Sequence, residues 1–400
     1  VWFDSGNLAN HYLYNNASKR VTKPYLVDLV LEGRDQYRGW FQSLMWLSAG
    51  VTQLMPYDNL LCHGFVLNQT NEKLSKSSNN SKGLDTYLDK HGADVLRLWA
   101  ATQEFGKDAV FSDAKLEYMT TYYSKFRLTL RFLLSNLFDY DFENHKNNLV
   151  KFSKSDDFDL ENYVLRCAYK LSDTLAHNFR HFNFKSSVES LYEFSNKTLS
   201  NFFFDYAKNP LYLSKNDDEK RVKLQCCFYE LLLVMLDMYK VFMPFLAEEF
   251  YSKLPHEEGV SVFENNYFFR NPEKSKELPA TYKFSWNLVL EKRKDVLQSL
   301  NELQMNKVVK SRTEVAVHLN LVLEDYYRLK KLSKYYKLKD LFNVSDVVLN
   351  LDENLENSNH VLLPLNTDEN YVKCPRCWSY VFKTNVDESC LCVDCQSAEN

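Results

Sequence analysis

Glycine and proline are scarce in this chain, with 9 of each in 400 residues. An average protein carries roughly 12% of the two together. So few turn formers exclude collagen-like repeats and Pro/Gly-rich disorder, and they favour long helices. No run of about 18 apolar residues occurs, so no membrane-spanning helix is expected. The N-terminus has no basic stretch followed by an apolar one, the pattern that directs secretion. An excess of one charge is missing too: 49 Lys and Arg stand against 53 Asp and Glu, for a net charge of −4. That balance excludes a globally basic nucleic-acid coat. It does not exclude a local basic face, because steering depends on where charge sits. The chain begins at Val1 without Met, which suggests a fragment or a processed piece.

Aromatic residues are plentiful, with 28 Phe, 26 Tyr and 6 Trp. Cysteines number nine, an odd count. Cys62, Cys167, Cys226 and Cys227 are scattered. Cys374, Cys377, Cys390, Cys392 and Cys395 crowd the C-terminal end. Such clustering points to a metal site in a reducing compartment rather than a disulfide framework.

Periodicity divides the chain. Residues 24–31 form a short apolar run that ends at Glu32-Gly33, which predicts a buried strand leading into a loop. A helix is expected over 37–54, a second strand over 62–67, a polar loop over 68–82 and a helix over 85–101 broken by a turn at Gly92. Strands alternating with helices predict part of a parallel α/β sheet. Between 113 and 254 the period changes. Tyr123, Phe126, Leu130, Leu133 and Leu137, and then Phe228, Leu231, Leu232, Met235, Tyr239 and Phe242, lie on helical stripes that predict a bundle. Residues 256–284 read as loop-rich. A helix over 286–305, strands over 314–322 and 344–351 and a basic helix over 326–336 predict a small α/β module. The expected organisation is thus an α/β domain over 1–112, an all-α bundle over 113–270, an α/β junction over 271–370 and a cysteine-bearing tail over 371–400.

Three motifs carry chemistry. Cys374-Pro-Arg-Cys377 and Cys392-Val-Asp-Cys395 are two Cys-x-x-Cys knuckles, able to hold one Zn²⁺ through four thiolates. Four protein ligands leave no open position, so such a metal is structural. Cys390 competes with Cys392 as a ligand through a wider loop. Trp378, next to the first knuckle, is expected to cover the site, with base stacking as the other use of such a ring. The second motif is Lys73-Leu-Ser-Lys-Ser77, where Lys73 and Lys76 flanked by hydroxyls suit a loop gripping phosphates. The third is Glu32-Gly-Arg-Asp-Gln-Tyr-Arg-Gly-Trp-Phe41. It crowds acidic and amide groups at a strand end, where ligands bind in open α/β sheets. Its bland reading is helix capping by Asp35.

Taken in order, Val1-Trp-Phe-Asp-Ser-Gly6, Glu32 to Ser43, His63-Gly-Phe-Val-Leu67, Lys73 to Ser77, Gly92 to Trp99 and the Cys-Pro-Arg-Cys-Trp tail resemble the C-terminal half of class I isoleucyl-tRNA synthetases. Leu199-Ser-Asn-Phe-Phe203 and Pro244-Phe-Leu-Ala-Glu-Glu249 extend the likeness over essentially the whole chain, thinly between 256 and 370. The resemblance implies the C-terminal part of a Rossmann-type catalytic domain, an anticodon-binding bundle and a zinc-binding tail. It implies ATP-dependent activation of isoleucine to isoleucyl-adenylate, with Mg²⁺ accompanying ATP, and transfer to tRNA(Ile). Glu32, Gly33, Asp35 and Gln36 then line the adenylate pocket, His63 contacts the nucleotide, and Lys73 and Lys76 belong to the catalytic lysine loop. Lys76 stabilises the pyrophosphate, where a fixed cation favours the transition state. Cys374, Cys377, Cys392 and Cys395 are the implied zinc ligands. The family further implies a cytoplasmic monomer without membrane contact, and places a His-x-Gly-His motif and an editing domain before Val1. On that ground the 400-residue piece alone is expected to be inactive. Arg34, Tyr37 and Asn79 depart from the resembled pattern. The competing expectation is a synthetase-derived, non-catalytic tRNA-binding protein.

Overall fold

The computed structural model describes residues 1–8, 10–11, 25–74, 84–153, 159–255, 260–264 and 280–397. Two compact units form, Val1–Thr121 and Tyr122–Asn400.

In the first unit, α1 (Trp2–Gly6) precedes β1 (Tyr25–Gly33), a 3-10 turn over Arg34–Arg38, α2 (Trp40–Thr52) and β2 (Met55–His63). β1 and β2 run parallel, with Glu32 opposite Cys62 and Gly33 opposite His63. Parallel strands need a crossover between them, and α2 supplies it: Phe41 and Leu44 pack with Val30 beneath the sheet. Gly6 lets α1 lie against α2, since a Cβ there would sit 2.7 Å from the Ser43 carbonyl carbon. The strand expected over 62–67 is divided. Cys62 and His63 end β2, and β3 (Val66–Leu67) follows beyond Gly64. The break has a physical cause: Gly64 is so close to Lys107 that a Cβ would stand 2.3 Å from its carbonyl carbon and oxygen. α3 (Leu84–His91), α4 (Ala93–Ala101) and β4 (Ala109–Val110) complete the unit, with β3 parallel to β4. Gly92 separates the two helices at φ +80, a backbone region natural for glycine.

α5 (Asp113–Ser135) leads into the second unit, a bundle of α6 (His145–Ser153), α7 (Leu160–Arg180), α8 (Phe184–Glu193), a π-helical stretch over Phe194–Phe203, α9 (Phe204–Leu213), α10 (Glu219–Tyr239) and α11 (Pro244–Tyr251). The stripe Phe126, Leu130, Leu133 and Leu137 is buried as expected. α10 is more than a stripe. Cys226, Phe228, Leu231, Val234 and Met235 are all buried around its circumference, so this helix is the bundle's centre rather than a surface element. Asp159 and Asp218 cap α7 and α10 by accepting backbone N–H groups two and three residues on, which satisfies donors a helix start leaves unpaired. Charges buried against α10 are paired: Arg221 Nη1 lies 2.7 Å from Asp139 Oδ2.

α12 (Ala280–Met305) connects to a three-stranded sheet in which β5 (Val315–Leu321) is central. After β5 come α13 (Leu323–Leu332) and α14 (Leu338–Phe342). β6 (Asp346–Leu351) then pairs parallel to β5 and β7 (Asn359–Pro364) pairs antiparallel to it. This is the expected α/β module with one further strand. Buried Arg293 ties it to the bundle, donating to the carbonyls of Leu341 and Asn201 and to Asp205. A hairpin of β8 (Tyr371–Lys373) and β9 (Tyr380–Phe382) and a last helix, α15 (Val393–Ser397), carry the cysteines. Among the described residues, no helix is long and apolar enough to cross a membrane.

Candidate functional site

The parallel register brings the C-terminal ends of β1 and β2 to one level. Glu32 and Gly33 therefore sit beside Cys62 and His63. A Cβ on Gly33 would stand 2.8 Å from Asp35 Oδ1 and 3.5 Å from His63 Cε1. Gly33, Asp35 and His63 thus converge on one spot, and Glu32 Oε2 accepts from the Gly33 N–H at 3.3 Å. His63 Nδ1 lies 2.7 Å from the Gly64 carbonyl. A carbonyl only accepts, so Nδ1 carries a proton, and in the neutral ring Nε2 is the acceptor. Gln36 is held differently. Its Oε1 accepts the Trp40 N–H at 3.1 Å, so Gln36, rather than Asp35, caps the helix that follows.

Lys73 lies on a short hairpin: it bridges to Leu67, and the Leu74 N–H donates to the Val66 carbonyl. Its ammonium sits over the Phe65 ring, 3.7 Å from the centroid. Lys76, with Ser75, Ser77 and Asn79, lies outside the described residues. Arg34 pairs with Asp108 at 2.8 Å, and Asp108 Oδ1 also accepts the Phe65 N–H at 2.7 Å. Sequence reading missed Phe65 as the ring beneath the lysine and Asp108 as the partner of Arg34 and of the Phe65 N–H. Nothing in the spacing joins positions 34, 65 and 108; only the β3–β4 pairing does.

The second candidate centre is the cysteine cluster. The Sγ atoms of Cys374, Cys377, Cys392 and Cys395 all lie within 4.8 Å of one another. Cys377 and Cys392 are 3.7 Å apart, matching the S···S separation of about 3.8 Å that tetrahedral Zn–S bonds of about 2.3 Å require. Cys374, Cys392 and Cys395 are buried, and Leu213, Val381 and Leu391 pack around them. Burial alone would raise the Cys374 thiol. Backbone N–H groups of Cys377, Cys392 and Arg376 overcome it and bring the thiol down to about 6, which favours the thiolate a metal needs. Burial pushes Cys395 and Cys392 upward, so those two protons are the ones a bound cation would displace. Cys390 is exposed and outside the group; the geometry thus selects Cys392 over it. All nine cysteines are free thiols. Trp378, expected to cover the site, is instead 63% exposed, and Lys373 Nζ lies 5.9 Å from its ring.

Asp394, between the ligands of the second knuckle, is gripped by Lys337 at 2.5 Å and Lys339 at 2.8 Å. The clasp docks the tail on α14 beside a cavity of about 710 Å³ whose wall includes Lys215, Lys220, Lys223, Tyr336 and Cys377.

Two families match parts of this chain. Residues 1–112 match the family described as tRNA synthetases class I (I, L, M and V), and residues 161–319 match the anticodon-binding domain of tRNA ligase. Isoleucine–tRNA ligase of Staphylococcus carnosus is 32% identical over 95% of this chain, and that of Buchnera aphidicola is 29% identical over 99%. The alignments take in 40% and 42% of those relatives, so the chain spans about two-fifths of their length. Among solved structures, methionyl-tRNA synthetase of Mycobacterium tuberculosis with methionyl-adenylate aligns at 18% identity and a TM-score of 0.46, covering 59% of this chain and 46% of that one. LeuRS of Agrobacterium radiobacter K84, in a ternary complex with tRNA and LeuAMS, aligns at 12% identity and a TM-score of 0.47, covering 87% and 41%.

Proposed function

We propose that this chain, a class I tRNA synthetase domain followed by an anticodon-binding domain, serves isoleucine–tRNA ligation. The reaction is ATP-dependent formation of isoleucyl-adenylate and transfer of the isoleucyl group to tRNA(Ile). The observation that carries this reading is the convergence of Gly33, Asp35 and His63 at the ends of two parallel strands. It lies on the unit that also bears Lys73.

In this reading the isoleucine carboxylate attacks the α-phosphorus of ATP, and pyrophosphate leaves with its Mg²⁺. Glu32 and Asp35 accept hydrogen bonds from the ammonium of isoleucine and the ribose hydroxyls. Gly33 allows backbone and adenylate to approach closely. Gln36 acts through the first turn of α2, whose Trp40 N–H it holds. His63 Nε2 accepts from the nucleotide. Lys73 and Lys76 compensate charge on the departing pyrophosphate, which is electrostatic rather than covalent catalysis. The four cysteines would hold one Zn²⁺, which would keep the tail folded for Asp394 to clasp α14 of the junction. The bundle, junction and tail together would engage the single-stranded anticodon, where bases are read by stacking and edge contacts. The domain boundaries that fit this reading are 1–112, 113–270, 271–370 and 371–400.

Isoleucine-dependent exchange of label between pyrophosphate and ATP, measured on the full-length protein bearing this chain, tests it. Lys73→Ala is expected to slow exchange by about a hundredfold with little change in the KM for isoleucine. Wild-type protein without exchange, or a Lys73→Ala variant at wild-type rate, would overturn it.

A further inference from the structure

Four side chains from three separated stretches meet beside the end of β1. Asp108 uses one carboxylate oxygen for the Phe65 N–H at 2.7 Å and the other for Arg34 Nη2 at 2.8 Å. The Arg34 guanidinium carbon lies 5.0 Å from the Phe65 ring centroid, and Lys73 Nζ lies 3.7 Å from the same centroid. Both cations are within the range at which a ring attracts positive charge. Two uncompensated charges so close to one ring would repel each other. Among the described residues, the ion pair at this ring is that of Arg34 with Asp108. The Phe65 N–H, against the effect of burial and together with Arg34, holds the Asp108 carboxyl below its ordinary range, so the compensating charge is present at neutral pH.

We propose that Arg34 and Asp108 are positioning residues for Lys73. Asp108 fixes the backbone that carries the Phe65 ring and cancels the charge of Arg34. Lys73 can then rest on Phe65 instead of being driven off it. A lysine side chain has much rotamer freedom to lose when it grips a phosphate. Resting on a ring at the strand end removes part of that freedom in advance. Arg34, a departure from the resembled motif, thereby acquires a task in this chain. The purpose assigned to the arrangement rests on the phosphate-gripping reading of Lys73; the arrangement itself is tested separately.

The test is NMR of the 400-residue chain labelled with [ε-¹³C]lysine. The ring current of Phe65 moves the Lys73 ε-CH₂ signal upfield. Lys73, nearer its ring than Lys151 to Phe152 or Lys373 to Trp378, is expected to give the most upfield lysine signal, assigned by its loss in Lys73→Arg and returned to the bulk position in Phe65→Leu. Asp108→Asn keeps an acceptor for the Phe65 N–H but removes the charge, and is expected to abolish at least half of the shift. Adding Arg34→Ser to Asp108→Asn removes the repelling cation and is expected to restore it. The remaining lysine signals report whether each variant is folded. An Asp108→Asn spectrum identical to wild type, a double variant that fails to recover, or a Lys73 signal that stays upfield in Phe65→Leu would overturn the proposal. Failure of the exchange reaction would retire the phosphate role without altering these spectra, so the two readings fail separately.

Discussion

Gly33 stands in register with His63 across the parallel ladder, and a methyl group on Gly33 would come within 3.5 Å of His63 Cε1 and 2.8 Å of Asp35 Oδ1. The missing side chain is what lets an imidazole and a carboxylate converge at the strand end. Gly33 has φ −69, which alanine adopts freely, so Gly33→Ala acts on space rather than on backbone strain. Asp35 can swing aside at little cost to folding. The expected outcome is stability within about 0.5 kcal/mol of wild type and adenylate formation slowed about tenfold to a hundredfold. Urea denaturation and the exchange assay measure the two effects independently.

Gly64 is constrained differently from Gly50. A Cβ on Gly64 would meet the Lys107 backbone at 2.3 Å, whereas a Cβ on Gly50, within α2, meets nothing within 4 Å. Gly64→Ala must shift a main chain and is expected to destabilise the first unit by about 1–3 kcal/mol. Gly50→Ala is expected to stabilise it by up to about 1 kcal/mol through helix propensity. Denaturation midpoints should move in opposite directions.

Arg221 is 5% exposed at its side chain and depends on Asp139, which also accepts from Gln225 at 2.7 Å. Asp139→Asn leaves a guanidinium buried without a counter-charge and is expected to cost about 3–5 kcal/mol. The pH dependence has a definite sign. Burial alone would raise the Asp139 carboxyl, but Arg221 and Gln225 hold it below its ordinary value. A carboxyl lowered by folding stabilises fully above its unfolded pKa of about 3.9, and that contribution is lost as pH falls through the folded value. Bundle stability measured from pH 6 down to pH 2 should therefore fall more steeply below about pH 4 in wild type than in Asp139→Asn.

The cysteine geometry makes a sharp distinction. Cys390→Ser should leave one metal ion per chain, because Cys390 lies outside the group of four sulfurs. Cys374→Ser should lose the metal, as should treatment with a strong chelator. Loss of metal should expose the tail to proteolysis, since a structural site contributes its binding energy to folding. Metal analysis of the purified variants checks the first three outcomes, and limited digestion checks the last.

Much of this molecule was legible in its sequence, for identifiable reasons. Helical stripes such as Phe126, Leu130 and Leu133 announced the bundle because burial imposes a 3.6-residue period. The knuckles announced a four-sulfur cluster because two short Cys-x-x-Cys turns bring their sulfurs together. Strand boundaries were harder. The run before Cys62 alternates weakly, so β2 was seen only at its end, and the break at Gly64 depends on Lys107, far along the chain. The capping of α2 by Gln36 has no local signal, because its oxygen reaches the N–H of Trp40 four residues on. The Arg34–Asp108 pair was invisible, because long-range ion pairs leave no local pattern.

The most direct test of the account is filter binding of the metal-loaded chain to isoleucine tRNA and to a control tRNA of unrelated anticodon. Binding to isoleucine tRNA is expected to be at least tenfold tighter, about 1.4 kcal/mol of discrimination. Equal binding to both would contradict it.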